Sequence, residues 1–249
     1  MSNAPAAAAA LDVLALLSRH TEALPAASIA SQLGLARSST YHLLAVLQER
    51  GFVVHLPEER RYALGVAAYE LGSAYSRQAP LQRLARPLVA RLVDETRQNA
   101  HLAVLHGADV LYLLEERAPR RPPLVSDVGV RLPAHLTASG LALLAALPAA
   151  QVRALYPSRS GLVRRDGAGP TSLTALRSLL TGVRQRGYAV EDGTVTPSFS
   201  SVAAAALDRS GYPAAAIALT FEGDRVGTRE RALLADAVRA CAAAVSRRL

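Results

Sequence analysis

A run of polar and aromatic side chains near the N-terminus has the chemistry of a DNA-binding surface. Arginine can form hydrogen bonds with guanine or with a phosphate, and hydroxyl groups at the start of a helix can reach phosphate oxygens. Two further arginines follow, in a segment of β-branched and aromatic residues. The side chains that we predict to contact DNA are those of Arg37, Ser38, Ser39, Thr40, Tyr41, His42, Arg60 and Arg61.

These side chains can enter a DNA groove only if a helix presents them outward, and the flanking sequence predicts a helix-turn-helix. A first helix is predicted from Pro5 to His20. A short helix then runs from Ile29 to Leu33 with Ser28 as its N-cap, and it ends at Gly34, which favours a left-handed turn. The helix that carries the run follows from Leu35 to about Arg50.

This longer helix has a single apolar face, and a hairpin follows it. The inward face consists of Thr40, Leu43, Leu44 and Leu47. Their spacing is that of a helix packed on one side. Residues 52–64 predict a two-stranded hairpin around a proline turn, which would form a wing on DNA. From the pattern alone a second interpretation stays open, in which a serine only caps the helix and the wing arginines are solvated.

Beyond the hairpin the sequence pattern changes from helical to mixed. A helix is predicted over residues 66–78, and after Pro80 short strands joined by tight turns alternate with longer helices. This pattern is typical of an antiparallel sheet flanked by helices. We therefore predict an α+β protein with a winged helix-turn-helix domain at residues 1–65, a linker helix at 66–80 and a sheet domain at 81–249.

Composition limits the classes of protein that need to be considered. The net charge of +8 lies entirely in residues 79–249, whereas the charges of residues 1–78 balance, so charge does not locate the DNA-binding surface. Every apolar stretch falls well short of the roughly 20 residues that span a bilayer, so we expect no membrane segment. The single cysteine, Cys241, excludes an internal disulfide and predicts a cytoplasmic protein without a thiolate metal site.

The order of motifs along the chain resembles the IclR family of bacterial transcriptional regulators. The N-terminal part of the resemblance is the run Ile29–Leu44, followed by Gly51–Val53, Tyr62–Gly65 and Glu70–Gly72. Its C-terminal part consists of Arg131–His135, Thr137–Gly140, Arg184–Tyr188 and Ala214–Thr220. This chain has His42 where the family usually has an arginine, so the operator sequence cannot be carried over from the family.

The resemblance implies a fold, a function and an assembly. The C-terminal domain would be an antiparallel-sheet domain of the GAF or profilin-like type that binds an effector and forms oligomers. The protein would be a repressor or activator that binds a double-stranded DNA operator, with an affinity controlled by a small organic acid and without a cofactor or metal. Since one winged domain contacts few base pairs, we expect a homodimer, or a pair of dimers.

The resemblance also implies where the effector binds. The segment Thr137–Gly140 precedes an apolar helix that is predicted over 140–147, and its backbone N–H groups and the Ser139 hydroxyl suit a carboxylate. Position by position, the implied effector-binding residues are Ala138, Ser139, Glu191, Ser201, Ala218 and Thr220. Gly140 of the same segment is added to them, and Leu124 is chosen from the preceding loop 120–128, where the resemblance does not single out one position. Ala218 stands where the family often has a hydroxyl group, and from this substitution we expect a larger or aromatic carboxylate.

Two other classes of protein are compatible with parts of the sequence. A hydrolase-type enzyme could use Ser139, but the chain has no Gly-x-Ser-x-Gly elbow and no Walker, zinc-protease or Rossmann motif. A non-specific DNA-packaging protein would share the basic charge but would rarely carry a large sheet domain. Ligand-responsive binding to one DNA sequence would distinguish a regulator from both.

Overall fold

Two units make up the chain, residues 1–79 and 80–249. The computed structural model describes residues 4–78, 80–121, 127–157, 162–165 and 168–249. The helix that the sequence predicts as a linker falls in the N-terminal unit, which therefore extends past residue 65. Leu124, one of the predicted effector-binding residues, lies outside the described residues.

The described part of the N-terminal unit has four helices and a three-stranded antiparallel sheet of order β1-β3-β2. In chain order its elements are α1 (Pro5–Leu17), β1 (Leu24–Pro25), α2 (Ala26–Leu33), α3 (Arg37–Glu49), β2 (Val53–Leu56), β3 (Arg61–Leu64) and α4 (Val66–Gln78). The helix-turn-helix of α2 and α3 and the wing of β2 and β3 thus follow the predicted order.

The ends of α2 follow from local backbone chemistry. The helix begins at Ala26 directly after Pro25, and it stops at Gly34, whose φ of 64° is the left-handed conformation predicted for it. Ser28 lies inside the helix, where its hydroxyl accepts a hydrogen bond from Gln32 Nε2 at 3.1 Å. The prediction that Ser28 is the N-cap is therefore wrong, because Pro25 already supplies the extended residue that precedes the helix.

A small apolar core holds α1, α2 and α3 together. It is formed by Val13, Leu17, Ala26, Ile29, Leu44, Leu47 and Val53. Leu44 and Leu47 are buried and Leu43 is half-buried, so the predicted inward face of α3 is the one that packs. β1 was not predicted, because two residues show no alternation, yet its pairing with β3 ties the start of α2 to the wing.

The described part of the C-terminal unit has five helices and a six-stranded antiparallel sheet of order β6-β5-β4-β9-β8-β7. In chain order its elements are α5 (Pro80–Thr96), β4 (Asn99–His106), β5 (Asp109–Glu116), β6 (Arg131–Pro133), α6 (Ala138–Ala146), α7 (Ala149–Leu155), α8 (Leu173–Arg186), β7 (Ala189–Asp192), β8 (Phe199–Leu207), β9 (Pro213–Glu222) and α9 (Thr228–Ser246). The predicted α+β class and antiparallel sheet are confirmed, whereas β6 and α7 were not predicted.

Helices cover both faces of this sheet. α5 and α9 pack on one face, and α6 packs on the other with α8 against it. α6 is apolar on almost every side and all residues from Ala138 to Ala145 are buried, as expected for a helix inside a core. Among the described helices, none combines the length and the apolar character that crossing a membrane requires.

Candidate functional site

The outward face of α3 carries most of the side chains predicted to contact DNA. Arg37, Ser38, Ser39, Tyr41 and His42 are all exposed. Tyr41 keeps 55% of its surface accessible, which is unusual for an aromatic side chain in a packed helix. The structure therefore brings these five residues to one surface of the N-terminal unit.

Thr40 is the exception in this run. Its side chain is fully buried, and its hydroxyl donates a hydrogen bond to the carbonyl oxygen of Ala36 at 3.0 Å. Thr40 lies one turn before Leu44, so the helical period places it on the inward face. This corrects the prediction that the Thr40 hydroxyl reaches a phosphate.

The first turn of α3 is open to an anion. The helix begins at Arg37 with Ala36 as its N-cap, and no described side chain caps its N–H groups. Ser38 and Ser39 lie within the first turn instead of capping it, so the interpretation of a serine as a mere cap does not hold. Uncapped N–H groups and the helix dipole together favour a negative group such as a phosphate.

The two arginines of the wing are in different situations. Arg60 is exposed in the turn between β2 and β3, with a left-handed φ of 52°. Arg61 Nη1 donates a hydrogen bond to the Ala23 carbonyl oxygen at 3.2 Å and lies 3.7 Å from Glu22 Oε2. The ion pair with Glu22 is solvent-exposed and therefore weak, since the Arg61 and Glu22 side chains are 40% and 85% accessible. A DNA contact by either arginine stays a prediction, and Arg60 is the more exposed of the two.

The C-terminal unit contains a cavity between one face of its sheet and the start of α6. Two neighbouring rows of side chains cross the sheet and form the floor. In one row Glu191 lies opposite Ser201, which lies opposite Thr220, and in the next row Ala218 lies opposite His101. Side chains two apart on a strand share a face, so both rows point to the same cavity.

Most of the predicted effector-binding residues line this cavity. They are Ala138, Ser139, Glu191, Ser201, Ala218 and Thr220. Gly140 is different, because its N–H donates a hydrogen bond to Thr137 Oγ1 at 2.9 Å and a Cβ at this position would lie 2.1 Å from the Ala134 carbonyl oxygen. Gly140 therefore allows close packing of α6, which corrects the prediction that it contacts the effector.

Several residues of the lining were not predicted to bind the effector. They are His101, Tyr112, Thr137, Val195, Thr196 and Phe199. His101 and Tyr112 are buried side chains with polar atoms, and the residues on either side of each along its strand are apolar. A polar side chain between apolar neighbours in a strand could have indicated a binding site, since a buried polar group needs a partner or a ligand.

Glu191 provides a carboxylate in the cavity. It is buried, and its Oε1 accepts hydrogen bonds from the backbone N–H groups of Thr194 and, at 3.1 Å, of Val195. Burial raises the pKa of Glu191 above its ordinary value, and these hydrogen bonds limit the rise. While it is ionised, this carboxylate can accept further hydrogen bonds but can donate none.

Hydroxyl groups provide the donors of the cavity. Burial raises the pKa of Tyr112 to about 12, although hydrogen bonds with Ser139 and Thr137 oppose this rise. The phenol therefore keeps its proton at neutral pH and can donate it to a ligand. The hydroxyl oxygens of Ser201 and Thr220 lie 2.9 Å apart, and either of them can be the donor.

The free space in the cavity is small. It amounts to about 30 Å³, which is room for roughly two or three water-sized groups. Ala218 does leave space, but it lies directly opposite His101, whose imidazole lines the same cavity as the rings of Tyr112 and Phe199. The larger or aromatic carboxylate expected from the sequence stays a prediction.

Beside the cavity, His101 faces a buried carboxylate. His101 Nε2 lies 3.7 Å from Glu115 Oε1, and Arg117 Nη2 lies 2.8 Å from Glu115 Oε2. Burial favours the neutral acid, but the adjacent His101 and Arg117 groups outweigh it and lower the pKa of Glu115 to about 2. The charged carboxylate of Glu115 thus lies between the guanidinium of Arg117 and the imidazole of His101, which lines the cavity.

We expect Glu115 to stabilise the C-terminal unit at neutral pH and to lose this effect in acid. A glutamate of the unfolded chain titrates near pH ~4.3, so the contribution is complete above that value and is lost as the pH falls toward about 2. Urea unfolding should give a lower midpoint for Glu115→Gln than for the wild type, and the gap should narrow from neutral pH to about pH 3. A gap that stays constant, as expected for a purely steric change, would contradict this.

The two units match two family models. Residues 6–57 match the IclR helix-turn-helix domain, and residues 73–247 match the C-terminal domain of the bacterial transcriptional regulator IclR. The glycerol operon regulatory protein of Streptomyces coelicolor is 34% identical over 240 residues, which cover 95% of this chain and 93% of that protein.

Solved structures share the fold over nearly the whole chain. An IclR transcriptional regulator from Alicyclobacillus acidocaldarius superposes with a TM-score of 0.83 at 24% identity and covers 99% of each chain. An IclR homolog from Microbacterium hydrocarbonoxydans, complexed with 4-hydroxybenzoate, gives a TM-score of 0.80 at 22% identity, with 97% of this chain and 98% of that chain covered.

Proposed function

The chain belongs to the IclR family of bacterial transcriptional regulators, and from this premise we propose that it binds a specific DNA operator under the control of a small organic acid. The matched models and the relatives are regulators and not enzymes, so Ser139 is not a catalytic nucleophile. A protein of this kind acts on the chromosome, which fits the cytoplasmic location expected from its single cysteine.

The exposed, uncapped first turn of α3 carries the DNA-binding part of this proposal. Arg37, Ser38 and Ser39 lie on that turn, and Tyr41 and His42 extend the same surface along the helix. A helix N-terminus with such side chains is suited to the major groove, where base edges distinguish sequences and phosphates fix the register. Arg60 on the wing supplies a second point of attachment to the backbone.

We expect Arg37→Ala to weaken operator binding by about 1 to 3 kcal/mol if the guanidinium contacts a base. Fluorescence anisotropy at fixed salt, with a duplex from the chain's own promoter region and a scrambled duplex, would measure both affinities. A loss confined to the promoter duplex indicates base readout. A similar loss on both duplexes indicates a phosphate contact.

Arg50→Ala is the matched control for this experiment. Arg50 is exposed at the other end of α3, so the substitution removes the same charge from the same helix. Operator affinity should change little. Equal losses for the two variants would contradict a binding surface at the first turn, and a wild type without salt-sensitive binding to either duplex would overturn the proposal.

Control by a small organic acid is supported by the cavity and by a solved relative. The cavity combines a first helical turn, hydroxyl donors and a carboxylate, and the homolog from Microbacterium was crystallised with 4-hydroxybenzoate. A ligand can shift operator binding only if it has different affinities for two states of the protein. An acid that binds tightly yet leaves operator affinity unchanged at fixed salt would refute this control.

Self-association completes the proposal, as a homodimer or a pair of dimers. Large apolar side chains on two helices of the N-terminal unit remain exposed: Leu11 on α1, and Val66, Tyr69 and Leu71 on α4, with 64 to 76% of their surfaces accessible. Large apolar side chains exposed on a helix become buried when two copies of the chain pack through that helix. A dimer would also place two copies of α3 on one operator.

A further inference from the structure

We propose that a groove lined by three arginines, at the end of α9, binds the phosphate group of a small organic molecule. The arginines are Arg209, Arg239 and Arg247. No residue that lines this groove also lines the cavity at the start of α6. The inference goes beyond the proposed function, since it assigns a second ligand site to the C-terminal unit.

The groove exists because β7 is shorter than β8. β7 pairs only with residues 200–203, whereas β8 continues to Leu207, so the end of β8 is open on one side. Ser246 Oγ accepts a hydrogen bond from the Leu207 N–H at 2.8 Å, which joins the end of β8 to α9. The walls between them carry small side chains, those of Ala204, Ala205, Ala242 and Ala243. They leave a space of about 710 Å³, which is within the range of small-molecule sites.

The charges of two of the arginines are available to a ligand. Arg209 lies in the turn between β8 and β9, and Arg247 directly follows α9. Both are exposed, and no carboxylate among the described residues forms an ion pair with either of them. Arg239 Nη1 lies 3.2 Å from Asp236 Oδ1, but both side chains are more than half exposed, so this pair is weak.

One carboxylate also lines the described groove, and it is engaged in its own turn. Asp208 Oδ1 accepts hydrogen bonds from the Ser210 N–H at 2.8 Å, the Ser210 hydroxyl at 2.6 Å and the Tyr212 N–H at 3.0 Å. These bonds order the turn that carries Arg209. With three arginines and one aspartate, the lining has an excess of two positive charges. This excess matches a phosphate monoester, which carries close to two negative charges at neutral pH.

Arg239 is held in place by a close approach to the backbone. A Cβ at Gly187 would lie 3.3 Å from Arg239 Nε and 3.7 Å from its Cζ, so the guanidinium lies against the turn that ends α8. A guanidinium that is already ordered loses less conformational entropy when it binds a ligand. The packing of Arg239 thus prepares one donor group of the groove.

The donor chemistry and the size of the groove together select the ligand class. A guanidinium forms two parallel hydrogen bonds with a phosphate, and several arginines can share its oxygen atoms. The groove is much larger than a phosphate group alone, and its alanines offer an apolar surface for the organic part of the ligand. The net charge of +8, which lies in residues 79–249, also favours the approach of anions.

A pair of probes that differ by one phosphate group tests the proposal. Isothermal titration of the full chain at fixed salt would compare ribose 5-phosphate with ribose. We expect ribose 5-phosphate to bind at least about 10-fold more tightly, because hydrogen bonds between charged groups are among the stronger ones.

Single substitutions identify the groove as the site. Arg209→Gln and Arg247→Gln should each weaken the binding of ribose 5-phosphate about 10-fold. Arg229→Gln is the matched control, since Arg229 is exposed at the other end of α9, and it should leave the affinity unchanged. Ala243→Leu keeps every charge but fills part of the groove from an exposed position on α9, and it should weaken binding several-fold.

Four results would overturn the proposal. Ribose 5-phosphate and ribose could bind equally, the two arginine variants could retain the wild-type affinity, Arg229→Gln could lose as much affinity as they do, or Ala243→Leu could lose none. A scrambled DNA duplex distinguishes another source of phosphate. If the two arginine variants lose as much affinity for this duplex as for ribose 5-phosphate, the groove contacts the DNA backbone and the proposal is wrong. These titrations need neither an operator nor an organic acid, so their outcome is independent of the proposed function.

Discussion

Replacing Gly140 by alanine is expected to destabilise the C-terminal unit by about 3 kcal/mol. The new Cβ would lie 2.1 Å from the carbonyl oxygen and 2.4 Å from the Cα of Ala134, and both of these are backbone atoms that no rotamer change can move. α6 would have to shift, and with it Leu143 and Leu144, which are completely buried. Because Ala138 and Ser139 begin the same helix and line the cavity, effector binding should be lost as well.

Thermal unfolding of the full chain would measure this effect. For a unit of this size, a loss of about 3 kcal/mol lowers the midpoint by roughly 6 to 12 °C. Gly182→Ala is the matched control within α8, since its Cβ would meet nothing closer than Arg186 Nη1 at 3.5 Å. That variant should gain up to about 1 kcal/mol from higher helix propensity. Equal midpoints for Gly140→Ala and the wild type would show that α6 does not need its close approach to Ala134.

Helix ends with strong local signals could be predicted from the sequence. α8 runs from Leu173 to Arg186 because Ser172 accepts a hydrogen bond from the Ala175 N–H at 3.1 Å and Gly187 takes a left-handed φ of 78°. The predicted start of α2 was wrong because two residues can each precede a helix there. The extended backbone of Pro25 determines the start, and the hydroxyl of Ser28 does not cap it. Local chemistry thus locates an end only where one signal dominates.

The cavity could be predicted only in part, for a physical reason. A two-residue period tells which residues of a strand share a face but not which strand lies beside it. His101 belongs to the cavity because β4 pairs with β9, which places it opposite Ala218 from a distant part of the chain. The residues carried over from the family resemblance avoided this problem, since the family's fold already contains the pairing.

The exposed surface of α3 that we propose to bind DNA shows the same difference between what a sequence pattern predicts and which contacts form. The period of α3 correctly separates exposed Tyr41 and His42 from buried Leu44. It also assigns Thr40 to the inward face. The Thr40 hydroxyl could have bound a phosphate, but it is buried and donates a hydrogen bond to the Ala36 carbonyl oxygen instead. The contacts of Arg61 with Glu22 and Ala23 could not be predicted in this way, because both residues belong to a segment that no periodic pattern brings near the wing.

Leu44→Ala is expected to destabilise the N-terminal unit by about 2 to 5 kcal/mol. Leu44 is 1% exposed and belongs to the small core that holds α3 against α1 and α2. A small unit has little stability to lose, so α3 should open much more often in the variant. Hydrogen exchange of the α3 amides in the full chain should therefore accelerate at least about 30-fold, while exchange in the C-terminal sheet stays unchanged.

Val46→Ala provides the control, because it also shortens an apolar side chain of α3. Val46 keeps 55% of its surface exposed, so no cavity forms, and alanine is the better helix former. The α3 amides of this variant should exchange no faster than those of the wild type.

Operator affinity of Leu44→Ala should fall as well, because binding must then first order α3. If the α3 amides of Leu44→Ala exchange at the wild-type rate, the apolar core does not hold this helix in place.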